Sequence, residues 1–238
     1  MYMSTADMIL SFAGSRSSFT LCELADYVRE HEDISDSGIL WHLKKLIEQN
    51  RLSRISRGLY GDNSKNEFIP SVSAEVKELY QDVVKAFPLI DVAVYSGNDI
   101  TALQHHISSN NVIYLEVTKD ATEAVFHYLA DKKIKAYHKP TADFMNDYVD
   151  LGEKSVIVKP LTTEAPVKMI DGVCVPTLEK LLVDVNADSD FYYLQDNEAF
   201  YIMENARSLY SINIPKMLRY ASRRGIREKM RTILQNAD

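Results

Sequence analysis

The stretch Ser35–Gly61, SDSGILWHLKKLIEQNRLSRISRGLYG, gathers side chains suited to holding a polyanion. Wound as a helix at about 100° per residue, it puts Ser37, Trp41, Lys44 and Lys45 on one side, with His42 at the margin. Ile39, Leu40, Leu43, Leu46 and Ile47 form the opposite, apolar stripe. Ser35 is the predicted helix cap, and the backbone N–H groups of that first turn can point at a phosphate. Beyond the helix, Arg51, Arg54 and Arg57 follow with no acid among them, and Arg57-Gly58 is placed to turn a two-stranded hairpin. Ammonium and guanidinium groups meet phosphates, while the outer face of a helix can read base edges in a major groove. The spacing thus predicts a DNA-reading helix with a basic wing.

A second basic run lies near the C-terminus. Between Asn213 and Leu234 stand Lys216, Arg219, Arg223, Arg224, Arg227, Lys229 and Arg231 against Glu228 alone. Ile214, Met217, Leu218 and Ala221 form one stripe there, and Met230, Ile233 and Leu234 another. Arg219, Arg223, Arg224 and Arg227 are candidate secondary contacts to DNA or to an acidic partner.

Other chemistry finds less support. His105 and His106 are adjacent, so on a helix they diverge by about 100° and do not share one metal. Glu116 and Lys119 suggest a nuclease pairing, but their spacing puts them on opposite faces of a strand, and Asp91 is the nearest acidic partner. Ser96-Gly97-Asn98 is a strand-to-helix turn too short to be a phosphate loop. No catalytic residue, metal site or cofactor is expected.

The elements that must position these groups fit an ordinary globular chain. It has 238 residues, 46% hydrophobic and 26% charged, with a net charge of −7 that excludes wholesale coating of nucleic acid by the whole surface. The first sixty-five residues carry eight basic and nine acidic side chains, so binding there requires charges segregated by face. Cys22 and Cys174 are too few for a disulfide framework. The N-terminus lacks a basic leader region and no run reaches the length of a membrane span, so no membrane association and a cytoplasmic location are expected.

Helical spacing recurs at Met8, Ile9 and Phe12, and again at Leu21, Leu24, Ala25 and Val28 after a Thr20/Glu23 capping box. With the Ser35–Asn50 helix and the strands Leu52–Ser56 and Leu59-Tyr60, residues 1–65 read as a winged helix-turn-helix. A polar linker, Gly61–Ser73, leads to a helix over Ala74–Ala86. Strands are predicted at 91–96, 111–118, 134–137, 155–160 and 172–175, with helices at 97–107, 120–131 and after Thr177. The rest is helical. Residues 73–238 therefore read as a mixed, partly parallel α/β domain with a helical C-terminus, making the whole an α/β (α+β) protein.

The wing RLSRISRGLYG, directly after a helix-turn-helix, resembles the N-terminal domain of AbiEi-type antitoxins. The run VPTLEKLLVDV (Val175–Val185) is similar to a helix start in their C-terminal domains. The resemblance implies a transcriptional repressor that binds double-stranded DNA of its own promoter at inverted repeats. It also implies a functional link to a nucleotidyltransferase-like toxin in a type IV toxin–antitoxin system. By matching positions, the DNA contacts would fall on the helix Ser35–Asn50 and on Arg54, Arg57 and Gly58; with Ser35, Ser37, Trp41, His42, Lys44, Lys45 and Arg51 from the helix face and the base of the wing, these make up the candidate DNA-binding set. Two alternatives stay open: a nucleic-acid-processing enzyme targeted by a winged helix, and a protein-interaction module in which that domain only packs.

Overall fold

The computed structural model describes residues 4–16, 18–49, 51–62, 66–104, 109–194 and 197–236. The chain divides into two compact units, one of residues 1–68 with 206–215, the other of 69–205 with 216–238. The predicted end of the third helix at Asn50 and the pair His105-His106 lie outside the described residues.

The first unit opens with α1 (Thr5–Gly14), β1 (Phe19–Thr20), α2 (Leu21–Arg29) and α3 (Asp36–Glu48), followed by β2 (Leu52–Ser56) and β3 (Leu59–Asp62). Each helix start is capped by the side chain that its sequence offers. Ser4 accepts from Asp7 N at 3.2 Å and Ser35 from Gly38 N at 3.3 Å. Thr20 and Glu23 form the full reciprocal capping box. The three strands form an antiparallel sheet in the order β1-β3-β2. Its register shifts between Arg54 and Ser56, where the β2 strand is bulged. Ile9, Phe12, Leu24, Val28, Ile39, Leu43, Leu46 and Leu52 share one core. Leu40, expected in the apolar stripe, is 43% exposed and belongs to the outer side of α3.

The second unit contains α4 (Ala74–Ala86), β4 (Val92–Ser96), α5 (Asn98–Thr101) and β5 (Val112–Val117). Next come α6 (Thr122–Asp131), β6 (Ala136–His138), α7 (Ala142–Tyr148) and β7 (Ser155–Pro160). A hairpin of β8 (Val167–Ile170) and β9 (Val173–Pro176) leads into α8 (Leu178–Ala187). The chain finishes with α9 (Asn197–Leu209), α10 (Ile214–Arg223) and α11 (Arg227–Asn236). The unit boundary crosses α9 and α10.

The central sheet has the order β4-β5-β7-β6. β4 runs antiparallel to β5, while β5, β7 and β6 are mutually parallel, so the sheet is mixed, as the alternation of strands and helices predicted. The helix expected over 97–107 is confined among the described residues to Asn98–Thr101. α7 and β8 had no counterpart in the sequence reading, because neither shows a clean period.

Strand pleating sorts the sheet into two faces. Val92, Val94, Ile113, Leu115, Val117, Val156 and Val158 join Val76, Leu79 and Val83 of α4, and Val125 and Leu129 of α6, in one apolar core. The alternate residues Tyr95, Tyr114, Glu116, Ile157 and Lys159 are also buried, on the other face. That second face is where the charge is.

Candidate functional site

Two groupings of polar side chains are candidates, one in each unit. The first lies on the outer side of α3. Trp41 is 57% exposed, an unusual setting for the chain's single tryptophan, and the Lys45 ammonium sits 5.0 Å from the centre of its ring. His42 packs edge-on against the indole, with ring centres 4.8 Å apart. Ser35, Ser37, Lys44 and Lys45 are exposed and His42 is half-buried. α3 itself carries two acids, and both are paired. Asp36 is bound by Arg29, and Glu48 lies 3.8 Å from Lys44.

Arg51, Arg54, Arg57 and Gly58 are exposed on the adjoining hairpin. Gly58 takes φ +77°, a left-handed conformation that glycine adopts without strain, and this allows the tight return from Arg57 to Leu59. Arg54 turns its Nε toward Ser56 O at 3.3 Å, along the bulge. α3 with its Ser35 cap, and the hairpin with Arg51 before it, thus carry the ten primary DNA-contact positions proposed from sequence.

The second grouping was not anticipated. In parallel register Glu116 of β5 lies beside Lys159 of β7, and Tyr95 of β4 lies beside Tyr114. The two tyrosine rings stack 4.9 Å apart and form an aromatic floor under the Lys159 ammonium. Against this face packs α8, a helix buried from Leu178 through Asn186. Lys180 Nζ lies 2.7 Å from Glu116 Oε1 and 2.5 Å from Asp184 Oδ2. Lys159 Nζ lies 2.9 Å from Asp188 and 2.7 Å from Asp190. From α10, Tyr220 donates to Asp184 at 2.8 Å, and Arg224, just past its end, reaches Asp184 at 2.5 Å and also binds Asp188.

Isolated charges do not survive such burial. Desolvation alone costs several kcal/mol per ion, so each must be paired. Burial pushes Asp190 and Glu116 up, against the pull of their lysines. Burial also opposes ionisation of Asp188, but Lys159 and Arg224 overcome it and hold that carboxyl at about 2. Desolvation would lower Lys159, yet Asp188 and Asp190 keep its ammonium well above its usual range. Four carboxyls thus face three cations, and burial raises Glu116 and Asp190 among them.

This cluster changes the account of the C-terminal arginines. Arg224 is partly buried and engaged by Asp184 and Asp188, and Arg223 pairs with Glu164. Arg219 and Arg227 are exposed. Thr177, directly before α8, makes no cap bond; its hydroxyl donates to Glu179 at 2.5 Å. The sequence signal that could have revealed the cluster was Lys180 and Asp184, one turn apart in a helix that also carries Leu178, Leu181, Leu182, Val183 and Val185.

The carboxylates expected of a nuclease are separated by environment. Asp91 is exposed before β4, whereas Glu116 is 2% exposed and paired with Lys180. Among the described residues no group of three or more His, Cys, Asp or Glu is placed to hold a metal ion, and no helix is long and apolar enough to cross a membrane. No curated protein matches the chain. Residues 38–238, well over half of the chain, match a family of unknown function, DUF6577, and the chain therefore belongs to the DUF6577 family.

Proposed function

We propose that the first unit is a winged helix-turn-helix that binds double-stranded DNA, with α3 in the major groove and the β2–β3 hairpin as a basic wing. The observation that carries this reading is the segregation of charge on α3. Trp41, Lys45 and Ser37 are exposed together, while Asp36 and Glu48 are neutralised by Arg29 and Lys44. A helix whose acids are paired away and whose indole is left in water suits a nucleic-acid surface better than a solvated one. Arg54 and Arg57 extend the same cationic surface along the wing. Arg219 and Arg227 are the exposed C-terminal candidates for a further phosphate contact, and Arg224 is left to the buried cluster.

The resemblance of RLSRISRGLYG and VPTLEKLLVDV to AbiEi-type antitoxins extends the proposal to an autorepressor linked to a nucleotidyltransferase-like toxin. In this reading the protein is a regulator and not an enzyme. The test is fluorescence anisotropy of the full chain with its own upstream DNA and with a scrambled duplex, at fixed salt. Preference for the upstream duplex, lost in Arg57→Ala and Lys45→Ala, supports the proposal. Equal, salt-insensitive binding of both duplexes, or unchanged affinity in both variants, overturns it. Co-expression with the neighbouring reading frame tests the antitoxin part separately, through rescue of growth.

A further inference from the structure

The buried cluster has a mouth. A cavity of about 400 Å³ opens beside it, lined by Lys139, Lys159, Thr162, Asp188, Asp190 and Arg224. Its volume falls in the range of small-molecule sites, about 300–1,000 Å³. It lies beyond the carboxyl ends of two neighbouring parallel strands, with His138 ending β6 and Pro160 ending β7. In open α/β sheets that edge is where ligands bind, because the strand ends leave a crevice between crossover connections.

The charges on the wall are unequal in their freedom. Lys159, Arg224, Asp188 and Asp190 are tied to one another. Lys139 is not: it is exposed, and no acid pairs with it among the described residues. Its backbone is held at φ +46°, a left-handed conformation rarely taken by lysine, and its N–H is anchored to Val158 O at 3.0 Å. Backbone held in such a conformation clusters at ligand clamps, where the surrounding structure enforces it. On the far wall Ser189 donates to Pro140 O at 3.2 Å, bracing the two sides of the cavity.

We propose that this cavity binds a phosphorylated sugar, with the phosphate at Lys139 and the sugar hydroxyls at Asp190 and Thr162. Among the described residues Lys139 is the cation of this lining with no carboxylate partner, so its ammonium can receive an anionic group. A carboxylate on the inner wall accepts from sugar hydroxyls, the role acidic residues play toward ribose in other α/β sheets. A bare phosphate reaches only the rim lysine and a neutral sugar only the inner wall, whereas a sugar phosphate spans both. The site is independent of DNA binding by the first unit.

Isothermal titration of the full chain with ribose 5-phosphate, glucose 6-phosphate, ribose and inorganic phosphate tests this. Saturable binding of at least one sugar phosphate is expected, at least ten-fold tighter than of ribose or of phosphate alone; which one binds identifies the sugar. Lys139→Asn, which tolerates the left-handed backbone, should weaken the sugar phosphate at least ten-fold with an unchanged melting curve. Thr162→Trp, which fills the cavity from its rim, should abolish binding, with folding checked by the melting curve. No saturable binding of either sugar phosphate overturns the proposal. So does phosphate or ribose binding as tightly as the sugar phosphate, or wild-type affinity in both folded variants.

Discussion

Lys180 Nζ lies 2.5 Å from Asp184 Oδ2, one helical turn away, and both side chains are essentially excluded from water. The pair ties β5 to α8 through Glu116, and α8 to α10 through Tyr220 and Arg224. Replacing Lys180 by methionine keeps the length of the side chain but strands Glu116 and Asp184 without their shared cation. A loss of about 3–5 kcal/mol is expected by urea denaturation, the cost of breaking one side of a buried pair. A variant that unfolds at the wild-type midpoint would show that the pair contributes nothing net.

Gly97 closes the turn between β4 and α5. A Cβ there would sit 2.1 Å from the side chain of Asn110. Asn110 is 1% exposed and donates to Tyr193 at 2.9 Å and to Tyr114 at 3.3 Å. Gly97→Ala must displace Asn110 and break those bonds, so a loss of about 3 kcal/mol is expected in chemical denaturation. Gly58→Ala, with open space around its Cβ, should cost only about 1 kcal/mol, from the left-handed backbone alone.

Asp99 gives a pH signature. Burial raises its carboxyl to about 6, although Ser71 N and Ser96 N both donate to it. Below about pH 4 it is protonated in both folded and unfolded chains and has no effect. As pH rises from about 4 to about 6 the unfolded chain ionises first, the native state holds the extra proton, and stability falls. Above about 6 the penalty is constant, about 3 kcal/mol for a shift of this size. Asp99→Asn should therefore gain on the wild type across that window by up to this amount, measured as the difference between the two stability–pH curves. Parallel curves from pH 4 to 7 would contradict the expectation.

For DNA, the slope of log affinity against log salt is the sharper readout. Arg57→Ala and Lys45→Ala should each lower its magnitude by about one, the signature of one lost phosphate contact. Trp41→Ala should weaken binding without changing the slope, because the indole carries no charge. A slope change for Trp41 equal to that for Arg57 would mean that α3 has shifted as a whole.

Much of the local structure was legible in the amino-acid order. Capping by Ser4, Thr20, Ser35 and Ser73 depends on side chains within three residues, and all four form as their positions suggest. Trp41 falls outside because 3.6-residue periodicity decides which side of α3 meets Leu43 and Leu46. The mixed character of the sheet followed from the alternation of strands and helices. Leu40 escaped this reasoning: its position on the wheel borders the stripe, and only the neighbours actually packed against α3 decide which border residues are covered.

The buried cluster is a different kind of fact. Glu116, Lys159, Lys180, Asp184, Asp188, Asp190 and Arg224 come from β5, β7, α8, the turn after it and the end of α10, spread over more than a hundred positions. Each taken alone in sequence reads as an ordinary surface charge. What makes them one site is the parallel register that sets Glu116 beside Lys159, and the burial of α8 on all sides. Local sequence determines capping, periodicity and turn chemistry because those interactions span a few residues. Which charges must neutralise one another is decided by the tertiary structure, because only the fold determines which of them lose their water.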